Sequence, residues 1–362
     1  MEHLVGSFDK WLKNDGPAAL VIREHLMPVE GQDGVLFPAT FAAGDGFPGG
    51  YNIDEFPGGK NVCLIDSVGS QANRIEPLFA AGEYARLVPQ IVIVAGTKKV
   101  NLLEAGHRAG DAIVRCSALQ EEMREAFKAV QKGNAEPLAR IAPTSVVFGA
   151  WDSRDTQAKL PRLIVSTIRA YDVRRLTRSA QFVPATEYVA GGLLEEPADK
   201  KTQDAYAERG FIHVPATGKH GGVIADSGIR RDASLHLAAL RLLAAGDSKE
   251  RTLALGRYIL GLALTAFTYP AAGYLRQGCN LVLDPDKKRE FQEVYGDGRR
   301  EAASLTHADA LAYAKAAAKD FEPGPDREVQ FDKALAKKDV SADGDGEKGS
   351  KKRGGGKAPK KT

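Results

Sequence analysis

Short apolar runs rich in β-branched residues recur along the chain, and they constrain its fold more than any other feature. They occupy residues 19–23, 90–95, 145–149, 162–168 and 211–214. Runs of about four to eight such residues, bounded by polar or glycine-containing segments, are typical of β-strands. The chain is therefore predicted to contain a β-sheet.

Helical patterns lie between these runs. Apolar residues recur on one face of residues 119–131, 234–245 and 306–319. The uncharged stretch 258–275 contains Pro270, which predicts a buried helix ending before that residue and not a membrane span. Because strands and helices mix without a strict βαβ rhythm, we expect an α+β fold.

The length of 362 residues allows one large domain, which we place at residues 1–335. Residues 35–60 hold six glycines and three prolines, which predicts an extended loop or hairpin on the surface. Residues 178–232 are also irregular and predict a second insertion that rises from the main sheet. Residues 336–362 almost lack large apolar side chains, so we predict a disordered basic tail.

The charge of the chain is concentrated at its end. The net charge is +3, and the residues from Lys337 onward carry nine basic and four acidic side chains. The remainder of the chain is therefore slightly acidic, and any nucleic acid must bind through a local basic strip. Cys63, Cys116 and Cys279 are odd in number and form no CxxC pair, which predicts neither disulfides nor a zinc ribbon and favours a reducing cytoplasm.

Motifs for catalysis or cofactors are weak. Residues 44–49 match GxGxxG, but they follow no clear strand and contain Pro48, so a dinucleotide site is not expected. The sequence has no Walker A, HExxH or GxSxG motif. We therefore predict neither a cofactor, nor a metal, nor catalytic residues. One alternative stays open: His213 and His220 are a possible acid–base pair of an endoribonuclease.

The densest basic cluster is residues 151–178, WDSRDTQAKLPRLIVSTIRAYDVRRLTR. It has seven basic and three acidic side chains, and Tyr171 lies among them. Arginine forks onto phosphate oxygens and stacks on bases, so this segment is a candidate for RNA binding. The alternative is a solvated surface held by salt bridges.

Two further segments could contact phosphate or ribose. Residues 67–74, SVGSQANR, follow a strand-like run and predict a helix start rich in small polar donors. Residues 219–232, KHGGVIADSGIRRD, combine paired glycines with paired arginines. Each segment alone is also compatible with ordinary helix capping or a surface turn.

Several runs together resemble a known family. They are LFPATFA, YNID, CLIDSVGSQANRIEPLF, VVFGAWDSRDTQAKLPRLIVSTIRAYDV and GGVIADSGIRRD. They are similar to the Csb-one type of Cas-seven protein, the backbone subunit of the type I-U (also called I-G) CRISPR effector, or Cascade. The similarity spans roughly residues 18–285.

The resemblance implies a fold and a role. Members have an RRM-like (ferredoxin-like) palm with thumb- and finger-like insertions, and they stack head to tail along the guide RNA (crRNA). They grip its ribose-phosphate backbone and leave most bases free to pair with target DNA. The subunit itself performs no chemistry, because a recruited nuclease-helicase cuts the target.

Partners and contacts follow from this resemblance. The implied partners are crRNA, target DNA, further copies of the chain, a Cas-five/Cas-six-like subunit, a large subunit and the nuclease-helicase, with no membrane. The residues of this sequence that we predict to contact RNA are Ser67, Ser70, Gln71, Asn73, Arg74, Arg154, Lys159, Arg162, Arg169, Arg230 and Arg231. Either insertion, 35–60 or 178–232, could be the thumb. A protein that binds other proteins and no RNA is the remaining alternative.

Overall fold

A computed structural model describes residues 5–270 and 273–350, and its strands are numbered in chain order. The strands are β1 Ala19–Pro28, β2 Thr40–Phe41, β3 Gly50–Tyr51, β4 Ile53–Glu55, β5 Asn61–Asp66, β6 Ile91–Ala95, β7 Lys98–Asn101, β8 Ala150–Trp151, β9 Lys159–Leu160, β10 Ile164–Tyr171, β11 Val173–Phe182, β12 Val214–Ala225, β13 Ile229–His236, β14 Tyr274–Arg276, β15 Cys279–Leu283, β16 Glu290–Val294, β17 Arg300–Ala302 and β18 Arg327–Gln330. The predicted mixture of strands and helices is confirmed.

The α-helices lie mainly between the strands. They are α1 Val68–Ile75, α2 Ala112–Arg115, α3 Gln120–Gln131, α4 Glu136–Ile141, α5 Pro143–Phe148, α6 Lys200–Glu208, α7 Leu237–Leu240, α8 Lys249–Thr268, α9 His307–Phe321 and α10 Lys333–Ser350. Short 3₁₀ helices occur at Asp9–Trp11, Glu76–Ala80, Gly82–Leu87, Leu102–Glu104 and Arg108–Gly110. The helices predicted at 119–131 and 306–319 correspond to α3 and α9. Thr306 caps α9 by accepting a hydrogen bond from the Asp309 amide.

The main sheet has the strand order of an RRM. Its path runs β14-β15-β1-β13-β10-β5-β4, and β16 also pairs with β1. The pairs among β1, β13, β10 and β15 or β16 are antiparallel. Helices α1 to α5 connect β1 to β10, and α8 lies between β13 and β15. This β-α-β-β-α-β order, with the fourth strand beside the first, confirms the predicted RRM-like, ferredoxin-like palm. Strands β5 and β4 extend the sheet beyond β10.

A long hairpin interrupts the connection between β10 and β13. Strands β11 and β12 pair from Val173↔Ala225 out to Phe182↔Val214. Ten residues of strand extend about 30 Å, so the hairpin projects well beyond the sheet. It corresponds to the second predicted insertion, but it begins before residue 178, and residues 229–232 belong to the central strand β13.

The first predicted insertion, residues 35–60, packs against the base of this hairpin. Leu36 bridges to Val223, and the Gly222 amide donates a hydrogen bond of 3.0 Å to the Tyr51 hydroxyl. A side chain at Gly222 would lie 2.8 Å from the Leu36 carbonyl oxygen, and this residue has a φ of +98°. Only glycine allows this close approach. The segment is therefore anchored at Leu36, Gly50 and Tyr51, whereas residues 40–46 and 54–60 are exposed.

Two hydrophobic clusters cover the same face of the sheet. Leu20, Ile22 and Leu235 belong to the larger cluster, which the helices complete. Leu26 and Ile229 belong to the smaller one, with residues of the 35–60 segment and the hairpin base. Because side chains alternate along a strand, the opposite face is left for polar residues.

Three sequence predictions of local structure are wrong. Of the strand predicted at residues 211–214, only Val214 belongs to a strand, β12. Residues 145–149 form no strand. Helix α5 starts at Pro143, since proline is favoured at the first helical position, and it ends at Phe148, before Gly149 with its φ of +79°. All six side chains of α5 are buried, and a short buried helix has the same apolar sequence as a buried strand. Residues 234–245 are largely not helical: Ser234 to His236 complete β13, and only Leu237–Leu240 form a helix.

The helix predicted to end before Pro270 is confirmed as α8, which is almost entirely buried from Ala254 onward. No helix within residues 5–270 and 273–350 has the length and apolar character needed to cross a membrane. Helix α10 occupies the first part of the predicted tail and is joined to the body by an Arg115–Asp339 ion pair of 2.8 Å. None of its described side chains is buried. Residues 351–362 of the predicted tail lie outside the described residues.

Candidate nucleic-acid interface

A buried polar network separates the two hydrophobic clusters. The Arg231 guanidinium donates hydrogen bonds to Glu24 Oε2 at 2.7 Å and to Ser166 Oγ at 3.2 Å. Ser166 Oγ donates to Gln71 Oε1 at 3.0 Å, and Gln71 Nε2 donates to Asp66 Oδ2 at 2.6 Å. These contacts join β1, β13, β10, α1 and β5. They satisfy charges that would be costly to bury unpaired.

Four of the predicted contact residues have structural roles at this network or at the start of α1. Gln71 and Arg231 are buried, and Arg231 is only 3% exposed. Arg74 Nε donates to the buried Asp66 at 3.2 Å, although its side chain is partly exposed. Ser67 caps α1 by accepting a hydrogen bond from the Ser70 amide. Gln71 and Arg231 are therefore not available to bind RNA at the surface. The sequence motif could not show this, because burial of a strand face depends on the elements that pack against it.

Predicted residues Arg169 and Arg230 lie on the open face of the sheet. They occupy paired positions on β10 and β13. Arg230 lies 4.9 Å from the centre of the Tyr171 ring and donates to Asp232 at 2.8 Å. Arg169 donates to the Thr167 hydroxyl at 2.6 Å, and no carboxylate among the described residues pairs with it.

This open face contains residues that the sequence analysis missed. Arg23 and His25 of β1 pair in register with Asp232 and Arg230. The alternation of side chains along β1 could have indicated them, because buried and half-exposed residues alternate along the whole strand. A cleft of about 360 Å³ opens beside them and is lined by His25, Lys60, Tyr171 and Arg230 among others.

A second basic region surrounds a cleft of about 700 Å³. It brings together the predicted residues Arg154, Lys159 and Arg162 with Trp151. The short strands β8 and β9 pair Trp151 with Lys159. Lys159 Nζ lies 5.6 Å from the Trp151 ring centre, at cation–π distance.

Arg108 connects this cleft to helix α1. Its guanidinium donates to Glu76 Oε2 at 2.6 Å, to the Gly149 carbonyl at 3.4 Å and to Asn73 Oδ1 at 3.3 Å. The exposed Asn73 therefore belongs to the border of the cleft. Burial raises the pKa of Glu76 to about 7, although the Arg108 guanidinium opposes this shift.

The electrostatics of this cleft favour an anion. Burial and the neighbouring Arg108 guanidinium lower the pKa of Arg162. Among the described residues, neither Lys159 nor Arg162 has a carboxylate within ion-pair distance. Nearby acidic side chains have partners elsewhere: Asp155 pairs with Arg124 at 3.1 Å. The cleft therefore has positive charge that its own side chains do not neutralise.

The two histidines of the endoribonuclease alternative do not form a pair. His213 Nε2 lies 2.7 Å from Glu187 Oε1. His220 packs against Tyr51, with ring centres 4.8 Å apart. No hydrogen bond joins them in the part of the chain that the structure describes. In the same part, no group of His, Cys, Asp or Glu is arranged to hold a metal ion.

The fold and these two regions define an RRM-like α+β protein with a long hairpin insertion and local basic surfaces. Residues 20–175 match a protein-family model described as CRISPR-associated protein GSU0053. The match extends from β1 through β10 and includes the Trp151 cleft. Over this range the chain is similar to CRISPR-associated proteins. No curated protein matches the sequence.

Proposed function

We propose that the chain is a non-enzymatic, guide-RNA-binding backbone subunit of a type I-G CRISPR surveillance complex. Copies stack head to tail along the crRNA and present its bases for pairing with target DNA. The other Cascade subunits and a recruited nuclease-helicase complete the assembly in the cytoplasm. The family match to a CRISPR-associated protein and the resemblance of the sequence runs both support this proposal.

One observation carries it: an RRM-like sheet bears Arg169 and Arg230 on its open face, beside the base of a long hairpin. A protein that coats guides of any sequence needs contacts with phosphate and ribose and not with particular bases. Arginines on the open face meet that need, because a guanidinium binds phosphate oxygens whatever the base. The β11–β12 hairpin is our candidate for the thumb that reaches the adjacent subunit.

The stacking of copies also has a physical rationale. A head-to-tail interface joins two different surfaces of the same molecule, and such contacts form open helical filaments when the rotation does not close. A projecting hairpin on one side and an open sheet face on the other provide two such surfaces. The RNA between them would then limit the filament length.

Co-purification with a guide RNA tests the proposal. The chain is expressed with its guide, separated by size exclusion in moderate salt, and any bound RNA is sequenced. We expect a large particle that holds guide-length RNA whatever its spacer sequence. A clean RNA-free monomer, in the presence and absence of the other subunits, would contradict the proposal.

A double variant localises the contact. We expect Arg169→Ala with Arg230→Ala to weaken RNA binding and to reduce the salt dependence by roughly one unit for each lost phosphate contact. The matched control is Arg86→Ala with Lys319→Ala, which removes two exposed cations from the helical side of the molecule. Equal RNA affinity of both double variants, measured by fluorescence anisotropy over a salt series, would exclude the sheet face as the site.

A further inference from the structure

Trp151 is exposed in a cleft that also contains several basic side chains. Its relative exposure is 55%, whereas Trp11, the second tryptophan of the chain, is 2% exposed. A large aromatic ring costs free energy when it is left in water. Its position at the wall of a cleft of about 700 Å³ leaves the ring accessible to a ligand.

The backbone around Trp151 is held in place by two glycines. A side chain at Gly110 would lie 2.7 Å from the Trp151 carbonyl oxygen. Gly149 has a φ of +79°, and a side chain there would lie 2.9 Å from Arg162 Cγ and 3.0 Å from the Leu160 carbonyl oxygen. These close backbone contacts at Gly110 and Gly149 hold β8 against β9 and against the 3₁₀ turn at Arg108–Gly110. The ring is therefore presented from a rigid support, which lowers the entropy cost of binding.

Cations lie beside the ring. Lys159 Nζ is 5.6 Å from the ring centre, and Arg162 lines the same cleft without a carboxylate partner in the described part of the chain. Two acidic groups in this region already form ion pairs with other arginines: Glu76 pairs with Arg108, and Asp339 pairs with Arg115. An anion would relieve the repulsion between Arg162 and Arg108. A free phosphate would satisfy the cations but would leave the aromatic ring unused.

We propose that this cleft binds one unpaired nucleotide of a single-stranded nucleic acid, with its base stacked on Trp151 and its flanking phosphates held by Lys159 and Arg162. Stacking on an aromatic ring next to a basic groove is how proteins bind single strands without sequence preference. Guide RNA and displaced DNA share this chemistry. The inference deepens the proposed function and rests on it, but it concerns a region separate from the open sheet face.

The small number of tryptophans makes the test direct. Trp11 is buried, so quenching by an added oligonucleotide reports on Trp151. We expect saturable quenching by short oligo(U) RNA or by oligo(dT) DNA, and no quenching in Trp151→Leu. Trp151→Phe should keep the affinity within about three-fold, whereas Trp151→Leu should lose about ten-fold or more, because stacking is worth about 1–3 kcal/mol per base. Tyr274→Leu removes an equally exposed aromatic from strand β14 and should change nothing.

Anisotropy of a labelled RNA measures binding independently of tryptophan. RNA that binds without quenching, and with equal affinity for wild type and Trp151→Leu, overturns this inference and leaves the proposed function standing. Quenching by DNA without any RNA binding supports the inference and overturns the proposed function. Equal quenching by inorganic polyphosphate overturns base stacking. The stronger of the RNA and DNA titrations identifies which strand the cleft holds.

Discussion

Two consecutive arginines, Arg230 and Arg231, differ in their roles because they lie on opposite faces of one strand. Arg230 lies half-exposed over Tyr171 on the open face, whereas Arg231 is buried against Glu24 and Ser166. Successive side chains of a strand point to opposite faces, so the same dipeptide supplies one surface cation and one structural cation. The arginine pair in the sequence therefore cannot act as a unit in binding.

Arg231→Met should destabilise the fold. Removing one partner of a buried ion pair leaves Glu24 poorly compensated, and we expect a loss of about 3 kcal/mol in the free energy of unfolding. Arg289, which also donates to Glu24 at 2.7 Å, limits the loss. Arg230→Met should change stability by less than about 0.5 kcal/mol. Urea unfolding measures both, and similar midpoints for the two variants would contradict the assigned roles.

Glu76 gives the fold a pH dependence. Burial raises the pKa of Glu76 to about 7, above its ordinary value of 4.5. A carboxyl group whose pKa is raised by folding stabilises the protein fully at low pH, and this contribution is lost as pH rises through the folded pKa. Relative to Glu76→Gln, wild type should lose up to about 3 kcal/mol of unfolding free energy across this range. A constant difference between the two proteins from pH 4.5 to 8, in thermal or urea unfolding, would show that Glu76 does not titrate there.

At the scale of elements, the hairpin is separable from the palm. Its paired strands project from the sheet, while Val173, Val223 and Ala225 at its base belong to the smaller hydrophobic cluster. Phe182 and Val183 near its far end are exposed. The outer part therefore contributes little to the core and exposes apolar side chains that the proposed stacking of subunits would use.

Replacing residues 183–213 by Asn-Gly should leave the palm folded. Phe182 faces Val214 across the hairpin, so a two-residue turn can join them without changing the strand register. We expect the melting temperature to change by only a few degrees and the RNA-dependent large particle to disappear. Light scattering with guide RNA measures the assembly. Assembly of the shortened chain at the wild-type concentration would show that the hairpin is not the thumb.

At the scale of the whole molecule, charge is distributed unevenly between body and tail. The body has two local basic regions, and the C-terminal residues from Lys337 add nine basic and four acidic side chains. Such a segment attracts nucleic acid through long-range electrostatics, which salt screens. Its effect should differ in salt dependence from that of contacts within a cleft.

Deleting residues 337–362 tests this difference. We expect a lower RNA affinity mainly below about 0.1 M salt, where the Debye length exceeds about 10 Å. The deletion also removes the Arg115–Asp339 ion pair, so Asp339→Asn serves as a control for that contact. Unchanged affinity of the deletion variant at every salt concentration would show that the tail plays no part in binding.

The sequence by itself determined the α+β class, the strands β1, β5, β6 and β10, the long helices α3, α8 and α9, and the local basic character of residues 151–178. Periodicity and charge are properties of neighbouring residues, which is why a sequence shows them. It could not distinguish the buried helix α5 from a strand, since both are short and apolar. Only the tertiary structure decided that Gln71 and Arg231 are buried, that Asn73 meets the Trp151 cleft through Arg108, and that Arg23 and His25 join Arg169 and Arg230. Those relations depend on strand order and on which face of the sheet is covered, and both are set by contacts between residues far apart in the chain.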